Sequence, residues 1–315
     1  MHGRQPLAWA GLVVLLLVAA GLSLFIGPGG FSLGNLEQVL VFRLPRLGLG
    51  VLAGGVLATV GAGLQGLLRN PLVDPFTLGV ASGAALGSTI VLVIGRGSSL
   101  FMPLGAFAGA LGTIVVVFLL ARIRGRVTKT GLVLAGVIVS FFFSSLLMLV
   151  MILGHRSLGE AVYLVMGHLG VVLTQESAWV LAGTGAVALL GCLLLFSYAR
   201  VLDIMSLSDE AAACLGVDVP KVTKTIFLVA SLVVGLVVAW TGAISFVGLV
   251  VPHLVRLLFG PRHQQVLPGS FVLGAGVLLL SDVVARNVVP GGLPLSVITA
   301  LIGVPFFIYL LRVKL

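Results

Sequence analysis

Apolar residues run through this chain in long unbroken stretches, without the period-two alternation that marks the strands of a membrane barrel. A helix needs about 20 apolar residues to cross the hydrocarbon core of a bilayer. Runs of that order occupy 7–26, 47–67, 76–94, 101–121, 132–153, 177–196, 222–240, 244–259, 267–285 and 293–311. The pattern predicts an all-α membrane protein, with ten transmembrane helices in a single domain over 1–315. The eighth run is short and contains Pro252, which predicts a broken helix. An even number of crossings puts both termini on one side. Val18-Ala19-Ala20 would pass as a signal-peptide cleavage site. The first run is nonetheless read as a retained span, because it is longer than a signal's apolar region and its removal would make the count odd.

Composition agrees with this pattern. Hydrophobic residues make up 59% of the 315 and charged residues 9%, and the mean hydropathy is +1.27. A soluble domain carries about 25% charged residues, so a soluble enzyme and a disordered chain are both excluded. The net charge of +9 comes from residues scattered between the apolar runs. It reads as membrane topology and not as a nucleic-acid surface. With the N-terminus inside, 13 of the 18 Lys and Arg fall on the cytoplasmic side. Only Arg43, Arg46, Arg96, Arg156 and Arg286 fall outside, so both termini are expected in the cytoplasm. The 43 glycines are about twice the common share. Gly79, Gly83 and Gly87, with Gly50/Gly54 and Gly105/Gly109, stand at small-xxx-small spacing, which predicts close helix packing.

Catalytic sets are absent. The sequence contains no HExxH, GxSxG or phosphate-loop motif. His2, His155, His168, His253 and His263 have no metal-ligand spacing, and Cys192 and Cys214 form neither a metal motif nor a disulfide framework. The chain is therefore read as a non-catalytic membrane protein that binds no metal or cofactor of its own. Intramembrane acids are too sparse for a proton pump, so another subunit is expected to supply the energy. Three polar features remain. Asn70-Pro71-Leu72-Val73-Asp74-Pro75 breaks the chain between the second and third spans, and is either a plain turn or a gate carried by Asn70 and Leu72. Within the cytoplasmic stretch 198–221, residues 208–216 predict a short helix. Ser208 caps it, Asp209 and Glu210 suit its positive end and Gly216 stops it. Arg43, Arg46 and Arg286 stand on the outer side, where arginine is disfavoured. They are candidates for pairing with an acidic partner, although Asp282 and Arg286, four apart, can also pair with each other.

Residues 75–79 and 268–274 echo each other faintly and suggest an inverted repeat of spans 2–5 and 7–10. An ion-coupled secondary transporter, an intramembrane enzyme and a membrane scaffold are the competing readings. Sparse intramembrane acids disfavour the first, the lack of convergent polar groups the second and the proline-interrupted spans the third.

Longer motifs decide among them. Arg43-Leu-Pro-Arg46, Gly61-Ala-Gly-Leu-Gln65, Arg69-Asn-Pro-Leu72 and Asp74-Pro75 resemble the FecCD-type permeases, as do Gly242-Ala-Ile-Ser-Phe246 through Pro252 to Arg256 and Leu293-Pro294 through Pro305. These are membrane subunits of binding-protein-dependent ATP-binding-cassette importers for iron–siderophore complexes, haem and vitamin B12. The resemblance implies the type II importer permease fold in a prokaryotic inner membrane, and a homodimer with the pore at its interface. It also implies two ATPase subunits, which hold the ATP and magnesium, and a periplasmic or lipid-anchored binding protein. By position, Arg43, Arg46 and Arg286 resemble the binding-protein docking arginines. Asn70 and Leu72 resemble the cytoplasmic gate. Ser208, Asp209, Glu210, Ala213, Leu215 and Gly216 resemble the ATPase coupling helix, and Ser140, Ser144 and Ser145 the polar positions of a pore-lining fifth span. Iron–siderophore is the expected cargo, ahead of haem and cobalamin.

Overall fold

The computed structural model describes residues 5–27, 30–31, 39–95, 100–123, 126–154, 166–171 and 174–314. His2, Arg4, Arg96, Arg124, His155 and Arg156 lie outside the described residues. Helix dominates, because a backbone in hydrocarbon must satisfy its N–H and C=O groups internally. Seven helices are long and apolar enough to cross a bilayer: Gln5–Phe25, Val41–Leu68, Phe101–Leu120, Lys129–Leu153, Gln175–Ser197, Val219–Thr241 and His263–Val288. Three shorter apolar helices, Val80–Val93, Val247–Phe259 and Leu295–Tyr309, bring the set to ten among the described residues. They follow the ten apolar runs in order and are called the first to tenth spans. Two further short helices, Ala199–Met205 and Asp209–Cys214, lie between the sixth and seventh.

The third and eighth spans are short because the backbone bends just before each of them. Pro75–Leu78 forms a 3-10 turn, Gly79 turns left-handed at φ 79°, and the helix begins only at Val80. Before the eighth span Gly242 and Phe246 adopt φ 66° and φ 68°, and the helix begins at Val247. The expected break at Pro252 is therefore displaced: the helix runs through it. Proline has no N–H, so it frees the carbonyl four residues back. That carbonyl, on Gly248, instead accepts from the Gln65 side chain at 3.2 Å. The two bends occupy the same place in spans 2–5 and spans 7–10, as an inverted repeat requires. Pro268 lies inside the ninth helix, so the echo of 75–79 at 268–274 does not mark equivalent positions; Phe246 supplies the counterpart.

The second span is buried along most of its length. It packs against the seventh, eighth and ninth spans. Apolar side chains gain little by leaving lipid for protein, so contact comes from backbones that touch. Gly54 and Gly274 face each other so closely that a Cβ on either would strike the other's carbonyl oxygen, and one on Gly61 would strike that of Gly248. Gly83 and Gly87 meet Gly109 and Gly105 in the same way between the third and fourth spans. Overpacking costs about 1–3 kcal/mol per site and sometimes more. Gly61→Val and Gly109→Val should each lower the thermal midpoint of the monodisperse protein in detergent. Gly183→Ala is the control, since no atom lies within 4 Å of its added Cβ. Midpoints for the two valine variants equal to the control's would show that these backbone contacts are not limiting.

Candidate functional site

Polar side chains gather at the two ends of the bundle. At one end Asp282, on the ninth span and only 1% exposed, is the centre. Arg46, near the start of the second span, grips both of its oxygens, with Nε at 2.9 Å from Oδ2 and Nη2 at 2.8 Å from Oδ1. Arg286, one turn further along the ninth span, brings its Nε to 3.7 Å from Oδ2 and donates from Nη2 to the Ser23 carbonyl at 2.8 Å. Arg43 donates to the Leu24 carbonyl at 2.6 Å. The three expected docking arginines thus lie together and stitch the first, second and ninth spans, Arg46 and Arg286 through the Asp282 carboxylate and Arg43 through the Leu24 carbonyl. Arg286 is buried and Arg46 is part-exposed. His168 joins Arg46 and Arg286 around a cavity of about 210 Å³. Burial, and then the Arg46 charge, hold its imidazole below its ordinary pKa.

At the other end the second span stops at Arg69, left-handed at φ 50°. The Asn70 side chain accepts from the Leu72 N–H at 2.9 Å, a turn that asparagine favours, and Leu72 is exposed. The Asp74 carboxylate caps the 3-10 turn through the Phe76 N–H at 3.0 Å and also accepts from the Phe246 N–H. It thereby ties the two bends together. Burial pushes its pKa from 3.8 up to about 6, against the pull of those two bonds. Beneath it lies Gln65, whose Nε2 donates to Val73, Gly248 and Leu249 carbonyls while its Oε1 accepts from Arg256.

The serine candidates of the fifth span separate by face. Ser140 is half-buried and lies beside Gly79: its Oγ is 3.3 Å from where a Cβ on that glycine would stand. Ser145 falls in an exposed stripe with Leu134, Ile138, Phe141, Met148 and Ile152, and exposed Ser144 flanks it.

The expected helix at 208–216 runs from Asp209 to Cys214. Ser208 Oγ accepts from the Ala211 N–H at 2.9 Å, and Gly216 at φ 83° closes the turn that follows. Ala212 is the buried anchor, while Glu210, Ala213, Leu215 and Gly216 are exposed. Hydrogen bonds from its own N–H and from the Ser208 hydroxyl hold the Glu210 carboxyl below the usual carboxylate range. Sequence reasoning missed Leu207, which is 72% exposed just before the cap. It also missed the ion pairs of Asp209 with Lys129 at 2.7 Å and Arg69 at 3.4 Å, and the hydrogen bond between Asp203 and His263 Nδ1 at 2.7 Å. These partners lie 60 to 140 residues apart, so no local spacing signals them. Among the described residues no group of three or more His, Cys, Asp or Glu is placed to hold a metal ion.

Two of these contacts are open to direct measurement. Removing one partner of a buried ion pair costs about 3–5 kcal/mol, so Asp282→Asn should sharply lower the thermal midpoint in lipid nanodiscs. An unchanged midpoint would show that Asp282 does not clamp this end. For Asp74 the folded pKa lies above the ordinary 3.8, so its contribution is complete below 3.8 and is lost as pH rises through about 6. The midpoint of the wild type, measured against Asp74→Asn, should fall across that interval. A constant offset would refute the assignment.

Residues 9–313 match the profile of the FecCD transport family. The chain is 38% identical over 291 residues to the cobalamin import system permease protein BtuC of Halobacterium salinarum, covering 91% of this chain and 77% of that protein. It is 35% identical over 331 residues to the hemin transport system permease protein HmuU of Yersinia pestis, covering 99% and 97%. A solved structure, described as an inward-facing conformation of a protein assigned to the metal-chelate type of ABC transporter, superposes with a TM-score of 0.85. That match is at 33% identity and covers 98% of this chain and 99% of the other.

Proposed function

The chain belongs to the FecCD transport family and is a permease subunit of an ATP-binding-cassette importer, and on that premise we propose that it forms one half of a homodimeric pore for a metal chelate. Separate ATPase subunits drive it by alternating access. The observation that carries this reading is the helix Asp209–Cys214, capped by Ser208, anchored by Ala212 and bare on its far side, where Leu207, Ala213 and Leu215 are exposed. Exposed apolar residues on a short, rigid helix outside the bilayer fit a groove on a soluble partner. In this reading that partner is the ATPase, which carries the ATP and magnesium. The end at Asp209 then faces the cytoplasm with both termini, and the end at Asp282 faces a periplasmic or lipid-anchored binding protein across the inner membrane.

Arg43 and Arg46 are the arginines placed to meet acidic groups of the binding protein. Arg286, buried behind Asp282, serves as a positioning residue for Arg46. The exposed stripe of the fifth span supplies the pore wall and the partner face, with Ser145 on it and Ser144 beside it, while Asn70 and Leu72 close the cytoplasmic mouth. Close relatives are named for different cargoes at similar identity, so the pore is weakly selective and the binding protein chooses. Iron–siderophore is the first candidate, with haem and cobalamin after it.

The test is to purify the chain with its ATPase and binding protein in lipid, and to measure ATP hydrolysis with each chelate in turn. One chelate should stimulate hydrolysis. Leu207→Arg with Leu215→Arg should abolish co-purification of the ATPase. Uptake into vesicles driven by an ion gradient, with no ATPase present, would overturn the reading.

A further inference from the structure

Asp209 does more than begin a docking helix. Its Oδ1 alone meets two cations, Lys129 Nζ at 2.7 Å and Arg69 Nη2 at 3.4 Å. Lys129 is the first residue of the fifth span, directly after its Thr128 cap. Arg69 is the left-handed residue that ends the second span and immediately precedes Asn70. One carboxylate oxygen thus joins the short helix to the root of one span and to the start of the 70–78 connection. Without it, two like charges would be left side by side.

The linkage has little slack on the acidic side. Aspartate has a single methylene, and Ser208 fixes the backbone that carries it. On the other flank of the same stretch Asp203 accepts the His263 N–H at 2.8 Å and meets its Nδ1 at 2.7 Å, which pins Ala199–Met205 to the root of the ninth span. The stretch 199–214 is thus tied on one side to the root of the ninth span through Asp203 and on the other to the fifth span and Arg69 through Asp209. All three groups of the fork are part-exposed, and such pairs contribute at most about 1 kcal/mol to stability. Stability does not account for the arrangement, whereas the elements it joins do.

We propose that the Asp209–Lys129–Arg69 fork is the linkage through which displacement of the short helix reaches the fifth span and the 70–72 segment, with Asp209 as its positioning residue. The proposal rests on the importer reading and names the side chains that would carry its motion.

The test reads the gate directly and needs no cargo. Leu72→Cys is introduced with Cys214→Ser, which removes the exposed thiol and leaves the buried Cys192. The chain is reconstituted in liposomes with its ATPase. Labelling of position 72 by a charged maleimide is compared without nucleotide and with ATP plus vanadate, per mole of bound ATPase. Nucleotide should change the labelling rate. Asp209→Asn and Lys129→Gln should each shrink that ratio by about fivefold or more, the low end of usual coupling between sites. Asp209→Glu and Lys129→Arg should retain it. An undiminished ratio in both neutral variants would overturn the linkage, as would a loss equally large in the charge-keeping variants. A bound ATPase with no nucleotide response at position 72 in the otherwise unaltered chain would overturn the linkage alone. Failure of the ATPase to bind that chain would overturn the importer reading as well.

Discussion

The contact of bare backbone on bare backbone along the second span is what the rest of the structure depends on. In lipid, apolar side chains gain almost nothing by meeting one another, so cohesion has to come from closeness. Gly54 against Gly274 and Gly61 against Gly248 bring the second span within carbonyl contact of the ninth and the eighth. That closeness lets Gln65 reach across to two carbonyls of the eighth span, and it brings Arg46 to the Asp282 oxygens. A bulkier residue at any of these glycines would open the polar contacts together with the packing.

Bent backbone inside a membrane protein has to find other hydrogen-bond partners. Gln65 and Asp74 provide them here. The amide donates to the carbonyl that Pro252 frees and to Val73, which lies beside the opposite bend. The carboxylate accepts one N–H group from each bend, at Phe76 and Phe246. Each side chain therefore bridges the two halves of the repeat at the points where the helices are interrupted.

The two ends differ in burial, and that difference matches the roles proposed for them. Asp282 is sealed between the Arg46 and Arg286 guanidinium groups, a stiff arrangement that holds Arg46 in place at this end. Asp209 is part-exposed and paired with two long, flexible cations. Partly solvated pairs are cheap to rearrange, which suits a movable junction, whereas a buried pair suits a fixed frame.

The ten apolar runs, the small-residue spacings and the Ser208 cap were legible in the sequence because each is a local pattern. Hydrophobic length, four-residue spacing and cap chemistry are all written within a few neighbouring residues. The sequence also singled out Arg43, Arg46 and Arg286 through topology and Asn70 and Leu72 through the proline break, and motif resemblance pointed to the same five. It placed the eighth-span break at Pro252, although a distant amide tolerates that proline and the bend falls before Val247. The local pair of Asp282 with Arg286, four apart, was legible too, but only the tertiary structure decided the long-range partners: Arg46 with Asp282 across 236 residues, Lys129 with Asp209 across 80. It alone turned Ser140 toward Gly79 while leaving Ser145 on the open face. The physical reason is range. Helix formation and membrane insertion are set by near neighbours and by hydrocarbon thickness, while pairing and facing are set by which helices touch, and in a uniformly apolar chain no period along the sequence records that choice.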